Sequence, residues 1–262
     1  MKKIFFATAL LTAVVGCTKS QYIGKVEYKP IVIKYVGESN TTGSAADAAL
    51  STYELGVRKN VKIFNNSTYV FADLQVGVNN VSNGVGTYHG WEVGLANSID
   101  TGGLKNSVYL LKTGISGTKI ETWDTGQANY NRDLRLTDSA FKRIAEVSNG
   151  AVPVMAVVWQ DAINDAQGLT DTTVWKQTAL RIFASWRVKW GDSLHIFMPH
   201  IQPSFTDYNS CITSLAAVNP SYNHEIQISD LSGAGTLVHW QEPTMKLMSA
   251  RIVWYIKTIL WH

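Results

Sequence analysis

The chain is poor in cysteine: Cys17 and Cys211 are the two thiols in 262 residues, and Cys17 closes an apolar leader. A protein left with one thiol has no internal disulfide, so its stability rests on its core. Charge is scarce as well, at 16% of residues. The formal net charge is +3, from 23 Lys and Arg against 20 Asp and Glu, and setting aside Lys2 and Lys3 of the leader leaves the body at +1. A nearly neutral body argues against a nucleic acid held through its phosphates. His89, His195, His200 and His224 have no metal-ligand spacing with one another or with a cysteine, which argues against a zinc site, and no cofactor is expected. Gly84-Val85-Gly86 lacks a basic residue and a strand-to-helix setting, so it is not read as a phosphate cradle. The apolar run Ile4 to Val15 is too short to span a bilayer as a permanent helix.

Met1-Lys2-Lys3 followed by that run has the charged and apolar regions of a secretory signal. It ends in Val14-Val15-Gly16-Cys17, which resembles the lipobox of bacterial lipoproteins, where the cysteine becomes a lipidated N-terminus. Residues 1–17 are therefore expected to be a lipoprotein signal with lipidation at Cys17. The mature chain is expected in the cell envelope, held to a membrane by its lipid anchor, with a periplasmic or secreted form as the alternative. Thr18 to Tyr28 is polar and without periodicity, and reads as a tether.

What the chain does have is apolar mass. Hydrophobic residues make up 45%, including nine tryptophans and eleven tyrosines, enough for the core of one α/β domain over residues 29–262. Aromatic rings can stack on sugar faces, but most are expected in the core. Ile31 to Val36 is a buried, β-branched strand; Val108 to Lys112, Val152 to Trp159, Leu194 to Met198 and His224 to Ile228 supply others. Thr68 to Phe71 is a short strand candidate inside residues 60–86, a stretch that reads as a substrate-side insertion. Helical stretches are expected over Ala45 to about Leu55 and Gly90 to Ala96, along the face Trp175, Ala179, Ile182, Phe183, Trp186 and Trp190, and along a closing stripe from Met245 to Ile259. Short apolar strands alternating with helices predict a three-layer α/β/α sandwich with a mostly parallel, about five-stranded sheet.

In open α/β sheets ligands bind outside the carboxyl ends of the strands. Gly37-Glu38-Ser39-Asn40 places a serine there after the first strand, and Ser116-Gly117-Thr118 is a second small-residue turn after Val108 to Lys112. Ala162-Ile163-Asn164-Asp165 follows the third apolar run, and Val238-His239 precedes the closing helix. In this order the four blocks resemble the SGNH hydrolase superfamily, named for its Ser, Gly, Asn and His, which has a flavodoxin-like fold. The chain is most similar to its sialate O-acetylesterase-like carbohydrate esterases. They share a G-x-S-N elbow, a G-G-T-x-I-x-x-W segment matched by Ser116 to Trp123, and a W-x-Q-G-E-x-D segment that aligns with Trp159 to Asp165. The resemblance spans roughly residues 30–258. It departs at Asp161, Ala162 and Ile163, which replace Gln, Gly and Glu. It departs again in the last block, where D-x-x-H reads Thr236-Leu237-Val238-His239. Glu92 matches a glutamate common in that branch and reads as structural.

The resemblance implies a serine esterase that removes acyl groups, acetyl above all, from a carbohydrate. Ser39 would be the nucleophile and His239 its base, with the N–H groups of Ser39 and Gly117 and the side-chain amide of Asn164 as oxyanion donors. Thr236 cannot hold a negative charge. The orientation of His239 then falls either to a backbone carbonyl, giving a Ser-His dyad, or to a carboxylate elsewhere in the last loop, where Asp230 and Glu242 are nearest in sequence. Two other readings stay open: a catalytically weak or inactive glycan-binding protein of the same fold, favoured by the departures, and an esterase of small or lipid esters.

Overall fold

β1 (Ile31–Gly37) is buried along its whole length because both of its faces are covered. Ile31, Ile33 and Tyr35 point into one apolar layer and Val32 and Val36 into the other, the period of two that a pleated strand imposes. The computed structural model describes residues 29–80, 88–101, 108–231 and 238–260. The leader with Cys17, the tether as far as Tyr28, Gly84-Val85-Gly86 and Thr236 lie outside the described residues.

After β1 the elements follow in the order α1 (Ser39–Thr42), β2 (Ala45–Ala46), α2 (Thr52–Leu55), β3 (Arg58–Asn65), β4 (Val70–Leu74), β5 (Tyr88–His89), α3 (Trp91–Thr101) and β6 (Val108–Lys112). Then come α4 (Ala128–Val147), β7 (Val154–Gln160), α5 (Ile163–Gln167), α6 (Thr172–Trp190), β8 (His195–Pro199), α7 (Thr206–Val218), β9 (Asn223–Ile226) and α8 (Thr244–Leu260). Among the described residues the main sheet has seven strands in the order β4-β3-β6-β1-β7-β8-β9, with every neighbouring pair parallel except β3 and β4. One face carries α3 and α8 and the other α4, α6 and α7, which makes the three-layer α/β/α sandwich. The chain leaves β1 toward β3 and, after β6, crosses to β7 on the other side of β1. The switch point, where a crevice opens at the carboxyl ends of the strands, therefore falls at the end of β1. No helix among the described residues is long and apolar enough to cross a membrane.

The sheet is wider than the five strands expected, because part of the stretch read as an insertion belongs to it. β3 pairs in parallel with β6 and in antiparallel with β4, forming an edge hairpin. In β3 the buried Arg58, Val61, Ile63 and Phe64 are interrupted by exposed Lys59 and Asn60, which thins the apolar signal. The helix expected over Ala45 to about Leu55 is also broken up. Ala45 and Ala46 pair with His89 and Tyr88, Asp47–Ala49 forms one 3-10 turn, and only Thr52–Leu55 is α-helical, capped by the reciprocal Ser51 and Glu54 bonds. Backbone pairing across the chain here overrides the helix propensity of a run of alanines.

α4 and α7 had no counterpart in the sequence pattern. The face that α4 buries mixes Tyr130, Leu136, Ala140 and Ile144 with Asp133 and Thr137, so no clean apolar stripe marks it. Asp133 is there to meet a charge. Lys34, in the middle of β1, is fully buried, donates to Asp133 Oδ2 at 2.6 Å and lies over the Trp186 and Trp190 rings at 4.6 and 4.2 Å. Thr113 Oγ1 donates to the other Asp133 oxygen at 2.5 Å. Burial lowers the Lys34 pKa, and Asp133 opposes that shift. Removing one member of such a pair leaves a buried charge alone, which typically costs about 3–5 kcal/mol, whereas an apolar replacement of both is often tolerated. Asp133→Ala is thus expected to lower the unfolding free energy measured in urea by about that amount, and the double variant Lys34→Met/Asp133→Leu to recover most of it.

Candidate active site

The end of β1 is pressed against β7. Gly37 has φ +131°, and a Cβ there would sit 1.8 Å from the Gln160 carbonyl oxygen, so only glycine fits. The Glu38 N–H donates to Gln160 O at 3.1 Å and the Ile115 N–H donates to Gly37 O at 2.8 Å, which ties the turn to the end of β7 and to the loop after β6. Ser39 then opens the single turn α1, closed by Thr41 Oγ1 donating to Glu38 O and Thr42 Oγ1 to Ser39 O. From below, the buried Lys112 donates to Thr42 O, Asn80 O and Glu92 Oε2 at 2.8, 2.9 and 2.8 Å. Glu92 also accepts from Gly90 N–H and Asn80 Nδ2, so it is a structural counter-charge, as its sequence position suggested. Lys112 opposes the burial cost and keeps the Glu92 pKa below the usual carboxylate range.

The structure brings together all four predicted blocks. His239 Nε2 lies 3.1 Å from Ser39 Oγ. With the ring proton on Nδ1, Nε2 is the acceptor for the serine hydroxyl. The two line a cavity of about 520 Å³ together with Gly117, Asn164, Ser44, Ser116 and Tyr88. Gly117 has φ +75° with open space around it, and among the described residues neither its N–H nor that of Ser39 donates a backbone-to-backbone bond. Asn164 stands in the first turn of α5, its side-chain amide donating to Glu38 Oε2 at 2.5 Å. The Ser116 to Trp123 segment forms the wall behind Gly117. Ile120 and Trp123 are buried, Trp123 Nε1 donates to Thr118 Oγ1, and the Ile120 N–H donates to Asp165 Oδ2.

Sequence reasoning named Asn40 as part of a motif but gave it no task, and the structure supplies one. Fully buried, Asn40 donates through Nδ2 to Val238 O at 3.1 Å and accepts the Trp240 N–H at 3.0 Å, gripping the backbone on both sides of His239. Gln202 Nε2 donates to the same Val238 carbonyl. The two acids considered for a triad are engaged elsewhere. Asp230 is exposed and pairs with Arg251 through both oxygens at 2.6 Å, an ion pair that lowers its pKa to about 2. Glu242 Oε1 lies 2.9 Å from His89 Nε2, and Asp47 lies 3.1 Å from His89 Nδ1. Burial works against the protonated imidazole, but the Glu242 bond, the charge of Glu92 and the Asp47 bond together raise the His89 pKa. Of the other histidines, His195 bonds His224, and His200 bonds Glu225. Among the described residues no three metal-binding side chains gather.

A family model described as carbohydrate esterase, sialic acid-specific acetylesterase, matches residues 32–261. The chain belongs to this family. A search of curated proteins finds no match. Among solved structures the chain is similar to a protein from Arabidopsis thaliana, with a TM-score of 0.71 at 14% identity, covering 88% of this chain and 99% of that one. It is also similar to NanS, with a TM-score of 0.66 at 10% identity over 88% and 97%. A third similar structure is a carbohydrate acetylesterase from Xanthomonas citri, with a TM-score of 0.60 at 10% identity over 88% of this chain and 56% of that one. At such identities the structures speak for a shared fold. The family match makes the chain a carboxylic ester hydrolase by kind.

Within this family the grip of Asn40 on His239 has a measurable consequence. A shift of about 1 Å in a reacting group can cost on the order of a hundredfold in rate. Asn40→Ala is expected to lower kcat on an aryl acetate by about ten- to a hundredfold with KM little changed, as steady-state kinetics would read.

Proposed function

We propose that this protein removes acyl groups, acetyl above all, from a carbohydrate by a serine mechanism, with Ser39 as nucleophile and His239 as general base. The observation that carries the reading is the 3.1 Å approach of His239 Nε2 to Ser39 Oγ inside a cavity that Gly117 and Asn164 also line. Ser39 Oγ attacks the ester carbonyl carbon as its proton passes to His239 Nε2. The oxygen that becomes negative is met by the N–H groups of Ser39 and Gly117 and the Asn164 side-chain amide; each such donor is typically worth about a hundredfold or more in kcat. Collapse of the tetrahedral intermediate expels the sugar oxygen, which takes the proton from His239. Water, deprotonated by the same histidine, then attacks the acyl-serine, and acetate leaves as Ser39 recovers its proton.

Ser44, Ser116 and Tyr88, which line the cavity, carry hydroxyls able to hydrogen-bond a sugar, which supports a carbohydrate ester as substrate. Ser116 is itself held at 2.7 Å from Thr42 Oγ1. The replacements at Asp161, Ala162 and Ile163 favour, as a second reading, a weak or inactive glycan-binding protein. Export with a lipid anchor at Cys17 belongs to the same proposal and is supported by the leader alone. A screen of acetate release over acetylated glycans is expected to find at least one substrate. Ser39→Ala should lower turnover by at least about ten-thousandfold while leaving the urea midpoint in place. Release by Ser39→Ala at the wild-type rate, or none by the wild type, would count against this reading.

A further inference from the structure

Glu38, between the glycine of the elbow and Ser39, is fully buried and turned toward the start of α5. Its Oε1 accepts the Ile163 N–H at 3.3 Å, and its Oε2 accepts the Asn164 N–H at 3.2 Å and Asn164 Nδ2 at 2.5 Å. We propose that Glu38 is a positioning residue for the esterase centre, holding the Asn164 side-chain amide toward the oxyanion and setting the charge beneath it. The inference rests on the esterase reading above.

The geometry carries the first half. A side-chain amide has two hydrogens, and the one taken by Glu38 fixes the rotation of the group, leaving the second for the cavity that Asn164 shares with Ser39 and Gly117. Without that anchor an asparagine in the first turn of a five-residue helix would turn freely between the cavity and solvent.

The second half follows from what surrounds the carboxyl. Asp165 of α5 and Asp161 of the loop after β7 both interact with it electrostatically; Asp161 is 2% exposed, with neither oxygen hydrogen-bonded among the described residues. Lys119 reaches over Gly168 at the far end of α5, and its charge acts on Asp165. Burial is the largest influence on Glu38, and although three N–H bonds pull the other way, its pKa rises to about 8. Below that pH the carboxyl is mostly neutral, and Oε1, with the long Ile163 contact, is the oxygen suited to carry the proton. A neutral group there does not oppose a negative oxygen forming next to it. An ionised one would, in a site that screens charge poorly. Raised above its ordinary value, the group is protonated and productive below about pH 8, and its contribution fades as pH rises through that value.

The experiment compares kcat against pH on an aryl acetate for the wild type, Glu38→Gln and Glu38→Ala. The wild type is expected to lose about tenfold in kcat between pH 7 and 9. Glu38→Gln, which keeps an acceptor for Asn164 and cannot ionise, should lack that fall. Glu38→Ala should lose about tenfold or more at pH 7 with KM little changed. The same alkaline fall in Glu38→Gln, or wild-type kcat in Glu38→Ala, would overturn the proposal. A second readout needs no turnover: in Ser39→Ala protein the NMR signals of the Asn164 side-chain amide should move with a midpoint near pH 8 and stop moving when Glu38→Gln is added. If no acyl ester is turned over by the wild type, the esterase reading fails; amide signals that stay fixed from about pH 6 to 10 overturn the role of Glu38 whether or not the enzyme is active.

Discussion

The absence of a side chain at Gly37 is the constraint on which the rest of the site depends. It lets the end of β1 lie within bonding distance of the Gln160 carbonyl, a place where any Cβ would be 1.8 Å from that oxygen. Because the backbone is seated there, Glu38 turns inward, Ser39 turns up toward the cavity, and Asn40 reaches the loop of His239. Three consecutive side chains thus address two distant parts of the chain, Glu38 the start of α5 and Ser39 and Asn40 the loop that carries His239. The register of β1 with β6 and β7 sets Tyr35 beside both Lys112 and Val158, so the three strands end near the same level of the sheet.

Buried polar groups hold this arrangement in place. Lys112 and Glu92 brace the elbow from beneath, and Asn40 and Gln202 share the Val238 carbonyl. Each of these groups would be costly if left without a partner in the interior. That makes alternative positions of Ser39 and His239 expensive, which suits the roles of nucleophile and base proposed for them. Most of the large apolar mass, including Trp91, Trp123, Trp159, Trp175 and Trp186, fills the two layers that support the sheet.

Each of the four blocks is local: Gly37 to Asn40 and Ser116 to Thr118 are glycine turns after apolar strands, Ala162 to Asp165 follows the third apolar run, and Val238-His239 precedes the closing helix. Their order along the chain resembles that of the SGNH hydrolases, and it is this resemblance that let Ser39, Gly117, Asn164 and His239 be named together. What the sequence did not disclose depends on partners far apart in the chain. The Asn40 bonds span 198 and 200 positions, and the Glu38 to Asn164 bond spans 126. α4 escaped notice because the residue it contributes to Lys34 is an aspartate, which reads as surface in any periodicity argument. Glu242, close to His239 in sequence, faces His89, because the reach of a side chain follows the fold of the loop and not the count of residues.

The central claim is that Ser39 is made nucleophilic by His239. Reaction with a fluorophosphonate, followed by intact mass and peptide mapping, tests it most directly, because it asks for the bond itself without knowledge of the substrate. The account predicts one adduct, on Ser39, forming about a hundredfold or more slower in His239→Ala. An adduct on another residue, no adduct at all, or labelling of Ser39 at the same rate without His239 would contradict it.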